Sequence, residues 1–65
     1  MKLGTRIKAY RKSKGLTRKE LARELGYSKQ HSIYLIETNT ANMPLDKVIV
    51  FCDLIGVSLD DFIKT

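Results

Sequence analysis

The sequence predicts an all-α domain, a compact bundle of five short helices. Three observations lead there. Apolar residues recur at helical spacing, and no stretch alternates long enough to make a strand. Start and stop signals follow one another in order: Thr17, Ser28, Pro44 and Ser58 open helices, and Gly15, Gly26, Asn39 and Gly56 close them. Finally, 65 residues make a single domain, residues 1–65. Its small core depends on good caps or a partner for stability.

The first helix covers about Leu3 to Lys14. Leu3, Ile7 and Tyr10 mark its inner face, while Arg6, Lys8, Lys12 and Lys14 cover the rest. Gly15 takes the position just past its end. The second helix is announced by "LTRKEL". Thr17 is the N-cap and Glu20, three residues on, completes a capping box, with Leu16 and Leu21 at the staple positions. Ala22 and Leu25 continue inward, and Gly26 stops the helix.

The third helix is expected from Lys29 to about Glu37, with Ser28 as N-cap and Asn39 in the left-handed conformation that ends it. Its apolar rhythm slips. Ser32 stands where an inward residue belongs, and Ile33, Leu35 and Ile36 crowd together. The fourth helix starts at Pro44, a good first helical residue, and runs to Ile55. Leu45, Val48, Ile49, Cys52 and Ile55 form its inner stripe, and Gly56 closes it. The fifth, "SLDDFIK", repeats the capping pattern, with Ser58 as N-cap, Asp61 at the third position and Val57 and Phe62 as the staple pair.

Charge is distributed unevenly. The net charge is +5. Residues 1–30 hold ten basic and two acidic residues, whereas residues 31–65 hold two basic and five acidic ones. A chain this two-sided suits a polyanion facing its N-terminal half. Other classes recede. No apolar run approaches the ~20 residues of a membrane span, and the opening segment has no signal-peptide core. One cysteine and one histidine make neither a disulfide nor a metal set. Cys52 reads as a small core residue, and a reducing cytoplasm fits. With no catalytic constellation and no glycine-rich phosphate loop, the expectation is no enzyme, no cofactor, no metal and no small-molecule ligand.

In this reading the second and third helices are joined by only Gly26 and Tyr27. A short glycine-containing turn between two capped helices is the helix-turn-helix pattern. The segments "LGTRIKAYRKSKGLTRKELARELGYSK" and "MPLDKVIVFCDLIGVSLDDFI" resemble the phage repressor and Cro/C1-like (XRE-type) family, across about Leu3 to Ile63. The resemblance implies a lambda-repressor-like bundle that binds duplex DNA, usually as a two-fold dimer, and regulates transcription. The expectation for this chain is a repressor-type regulator, a weak homodimer on a pseudo-palindromic operator. The dimer is expected through the region of Phe51, Leu54, Leu59 and Phe62.

The third helix is then the recognition helix, with Lys29, Gln30, His31 and Tyr34 as base-reading candidates. Gln30 can pair with adenine N6 and N7, and Lys29 can donate to guanine O6 and N7. Thr17, Arg18, Lys19 and Ser28, with the amides at the starts of the second and third helices, are phosphate candidates. Relatives commonly carry glutamine where this chain has Arg18. The polar loop Thr38, Asn39, Thr40 and Asn42 resembles the family's second phosphate-contacting segment.

Gly26 to Glu37 spans eleven positions, one more than in most relatives. With an extra residue near His31 or Ser32, Ile33 and Ile36 become the inward pair, and Arg11 and Glu37 match an ion pair found in several relatives. Without it, Ser32 and Leu35 turn inward and an isoleucine is exposed, which is the less favourable register. Either a π-bulge in the third helix or a longer turn before it would absorb the residue. The rival reading is a protein-interaction module, such as an antitoxin or adaptor. Tyr27, Tyr34, Leu35 and Ile36 would then line its groove.

Overall fold

The computed structural model describes residues 2–64, and five α-helices account for the regular structure among them: α1 Leu3–Ser13, α2 Arg18–Leu25, α3 His31–Glu37, α4 Leu45–Ile55 and α5 Leu59–Lys64. The all-α expectation therefore holds, with no strand among the described residues. α3 packs against α1 and α2, while α4 packs against α2 and α5. Among the described residues no helix is long and apolar enough to cross a membrane.

Most helix ends fall where the capping residues say they should. Thr17 Oγ1 accepts from the Glu20 amide at 3.0 Å, and Glu20 Oε1 accepts from the Thr17 amide at 2.9 Å, so the capping box closes at both ends. At α5 the Asp61 amide donates to Ser58 Oγ at 3.1 Å. Gly15, Gly26 and Gly56 sit at φ of 69°, 81° and 74°, and Asn39 at 62°. This is the left-handed region that terminates helices. Pro44 differs from expectation by one position. Its ψ of 152° makes it the extended residue before α4 rather than the first helical one.

Five side chains are wholly shielded from solvent: Ile7 from α1, Leu21 from α2, Ile33 from α3, Phe51 from α4 and Phe62 from α5. Each helix contributes one, and each is worth about 1.5–3 kcal/mol on burial. Phe62 meets the Tyr10 and Phe51 rings at centroid distances of 5.6 and 5.7 Å. Burial also pushes the Cys52 thiol up, with a smaller contribution from Asp53, as befits a thiol packed in the core.

Two sequence expectations need correction here. The inner stripe of α4 is Val48, Phe51, Cys52 and Ile55, whereas Leu45 and Ile49 are exposed. The helix is rotated toward Phe51 because the larger aromatic ring fills the centre. For the same reason Phe51 and Phe62 cannot form a dimer surface. Both are fully buried within one chain, and only Leu54 and Leu59 of that patch remain partly open.

Candidate nucleic-acid interface

The segment between α2 and α3 positions everything else. α2 ends on Gly26, and the Tyr27 amide donates back to the Ala22 carbonyl at 2.8 Å. The chain then runs through Ser28 and Lys29 before α3 begins at His31. The linking turn is thus Gly26 to Gln30, longer than the two residues expected. Ser28 is not the N-cap. That position falls to Gln30, which already has helical φ and ψ and makes no side-chain cap.

The Ser32 and Ile33 amides bond to the carbonyls of Lys29 and Gln30 at 3.2 and 3.0 Å. These are tight three-residue turns of the 3₁₀ kind. α3 itself is α-helical throughout, with no π-bulge, and the turn before it is longer than expected. Past the turn, Ile33 and Ile36 are buried, Ser32 and Leu35 are half-buried, and Tyr34 faces out.

The far end of α3 is fixed by charge. Glu37 is buried, and its carboxylate receives Arg11 Nε at 2.5 Å and Arg11 Nη2 at 3.2 Å. Arg11 Nη1 donates to the Leu16 carbonyl at 2.7 Å. Arg18 Nε reaches the same carboxylate from α2, 3.0 Å from Oε1. Two guanidinium groups therefore converge on one buried carboxylate.

Arg18 also lies over the Tyr34 ring, with its central carbon 5.2 Å from the ring centroid. The His31 ring stacks on Tyr34 at 5.7 Å and 17°. Glu37, Arg18, Tyr34 and His31 thus form a continuous chain of contacts running from the core to the exposed start of α3.

The site residues fall into three groups. Lys29, Gln30, His31 and Tyr34 are all exposed at the start of α3, although the first two lie on the turn rather than on the helix. Lys19, Arg23, Ser28 and Gln30 border a shallow hollow of about 370 Å³, floored by Ala22, Gly26 and Tyr27. Thr38, Asn39, Thr40 and Asn42 are exposed beyond α3, with three of them already engaged, the Thr40 hydroxyl lying 3.1 Å from that of Thr38. Thr38 Oγ1 donates to the Tyr34 carbonyl at 3.0 Å. Asn39 Oδ1 accepts from the Gly4 amide at 3.0 Å, capping the start of α1.

Thr17 is likewise occupied by its capping box. The Glu20 carboxylate sits beside the first turn of α2, held below its ordinary pKa chiefly by the Thr17 backbone amide. A phosphate at that helix start would meet a negative charge.

Other positioning residues have no motif around them. Lys47 Nζ reaches across from α4 to the Leu25 carbonyl at 2.6 Å and lies 5.5 Å from the Tyr27 ring centroid. It ties the turn to the rest of the bundle. Tyr27 Oη is buried without a hydrogen-bond partner, and burial, then the charge of Asp46, pushes its pKa up. Arg6 Nη1 donates to the carbonyls of Phe62 and Ile63 at 3.0 and 3.2 Å, at the end of α5. Among the described residues no group of acidic, histidine or cysteine side chains is arranged to hold a metal.

Two capped helices joined by a glycine turn, with an exposed polar segment at the start of the second and a basic N-terminal half, define a helix-turn-helix module of the DNA-binding class. A family model for the helix-turn-helix domain matches residues 2–62. The chain belongs to that family, whose members are DNA-binding regulators and typically not enzymes. No curated protein and no solved structure gives a significant match.

Proposed function

We propose that the protein is a sequence-specific, repressor-type regulator that lays the start of α3 in the major groove of duplex DNA. One observation carries this reading. Lys29, Gln30, His31 and Tyr34 are exposed together at the start of α3. A recognition helix presents this end to base edges. Lys19, Arg23 and Ser28, around the neighbouring hollow, supply phosphate contacts. Arg18 is a weaker phosphate ligand than its charge suggests, because Glu37 already holds it. Thr17, Asn39 and Thr38 contribute at most through backbone groups, Thr40 already shares a hydrogen bond with the Thr38 hydroxyl, and Asn42 is exposed beside them. Two copies read a pseudo-palindromic operator.

Selection from random duplexes, followed by a salt titration on the winner, tests the proposal. The expected product is a two-fold symmetric site with half-sites about one helical turn apart and an affinity that falls steeply with salt. Gln30→Ala and Lys29→Ala should each cost about 1–3 kcal/mol of discrimination at one base position. Failure to enrich any sequence would sink the reading.

The rival peptide-binding groove has less support. Ile36 is buried, Tyr27 and Leu35 are half-buried, and of the four residues expected to line it only Tyr34 is exposed.

A further inference from the structure

We infer that the Tyr34–His31 stack is a thymine reader, held in place by Arg18; the inference rests on the DNA-binding reading above. Tyr34 is 44% exposed at the start of α3, yet it is restrained from two directions. The Arg18 guanidinium covers it at 5.2 Å, and the His31 ring lies nearly parallel to it at 5.7 Å. Arg18 is itself restrained by Glu37, whose side chain is 1% exposed. An exposed tyrosine on a helix would ordinarily sample several rotamers. This one is preorganised by contacts that end on a buried charge, and a preorganised contact loses less entropy on binding.

The apolar part of this surface selects its ligand. Among the groups that the four bases display in the major groove, only thymine offers an apolar group larger than a hydrogen, its 5-methyl. Other edges would leave the ring carbons of Tyr34 against polar atoms. Tyr34 and His31 therefore form the contact, while Arg18 is a positioning residue that acts through Tyr34.

The experiment replaces thymines of the selected operator by uracil, one at a time, and compares affinities for the two duplexes within each protein. Uracil differs only by the methyl group, whose burial corresponds to about fourfold in affinity. In the unaltered protein one thymine per half-site should show that loss. Tyr34→Ala should abolish the difference. Arg18→Lys should reduce it while leaving the salt dependence in place, because the charge is kept and the planar group over Tyr34 is not. An Arg18 that served only as a phosphate contact would leave the thymine-to-uracil ratio unchanged in the lysine variant.

A selected operator in which no uracil replacement weakens binding overturns the inference and leaves sequence-specific binding intact. So does a uracil penalty that persists in Tyr34→Ala. Absence of any enriched duplex overturns both readings together.

Discussion

Arg11 and Glu37 meet inside the protein, 2.5 Å apart from Nε to Oε2, with side chains 8% and 1% exposed. The pair joins the end of α1 to the end of α3, and Arg18 adds a second cation from α2. Removing one partner of such a buried pair costs about 3–5 kcal/mol, chiefly because the other charge is left unpaired. Glu37→Ala should lower unfolding stability by that amount in urea. The double variant Arg11→Met, Glu37→Leu should recover part of the loss. An unchanged midpoint in Glu37→Ala would contradict the role assigned to the pair.

Gly4 sits where α1 crosses the end of α3. A Cβ placed there would lie 2.1 Å from the Ile36 carbonyl oxygen and 2.7 Å from Asn39 Oδ1. Backbone cannot give way as a flexible side chain can, so the helices must separate. Gly4→Ala should destabilise by about 1–3 kcal/mol, despite alanine's better helix propensity. A stabilised variant would show that α1 and α3 tolerate the separation.

Tyr27→Phe should have the opposite sign. The hydroxyl is buried with no hydrogen-bond partner, a cost of about 1–3 kcal/mol in a folded protein. Deleting it keeps the ring under Lys47 and should raise stability by about 1 kcal/mol. Thermal unfolding of the two proteins side by side is sufficient to read the difference.

The capping box makes part of the stability depend on pH. The Glu20 pKa is lowered in the folded protein, first by the Thr17 backbone amide and then by its hydroxyl. The unfolded chain therefore takes up the proton first, and stability rises with pH across this range. The contribution is complete above the ordinary glutamate value of about 4.3 and fades as pH falls through the lowered one. Glu20→Gln should be less stable than the parent at pH 7, and the two should converge as pH falls below the lowered Glu20 value. A gap that stayed constant would place the effect elsewhere.

The helices were legible because their ends carry chemistry. Thr17, Ser58, Gly15, Gly26 and Gly56 have few other reasons to stand where they do, and each occupies the cap position its type suggests. Ile33 and Ile36 were legible from period and from the Arg11–Glu37 match. The start of α3 was not. Ser28 is a good capping residue with nothing to cap, because the turn runs on through Gln30 and the helix starts only at His31. Contacts between distant residues also left little trace. Arg6, Arg18 and Asn39 look like free polar groups in the sequence, yet they are spent on Phe62, Glu37 and Gly4. Nothing within a few residues of each announces its partner. The orientation of α4 was missed because alternative apolar stripes, one through Ile49 and one through Phe51, differ by a small rotation that only packing decides.

The uneven anchoring of α3 bears on how such a protein diversifies. Its last turn is clamped by Glu37 and Asn39 to α1 and α2. Its approach is a turn held by short local hydrogen bonds. Lengthening a loop changes closure entropy only slowly, so a change of one residue between Gly26 and His31 need not disturb the clamp or the core. On the proposed DNA-binding function, altering turn length as well as side-chain identity would re-aim Lys29 and Gln30. New operator preferences would then become accessible without a prior stabilising mutation.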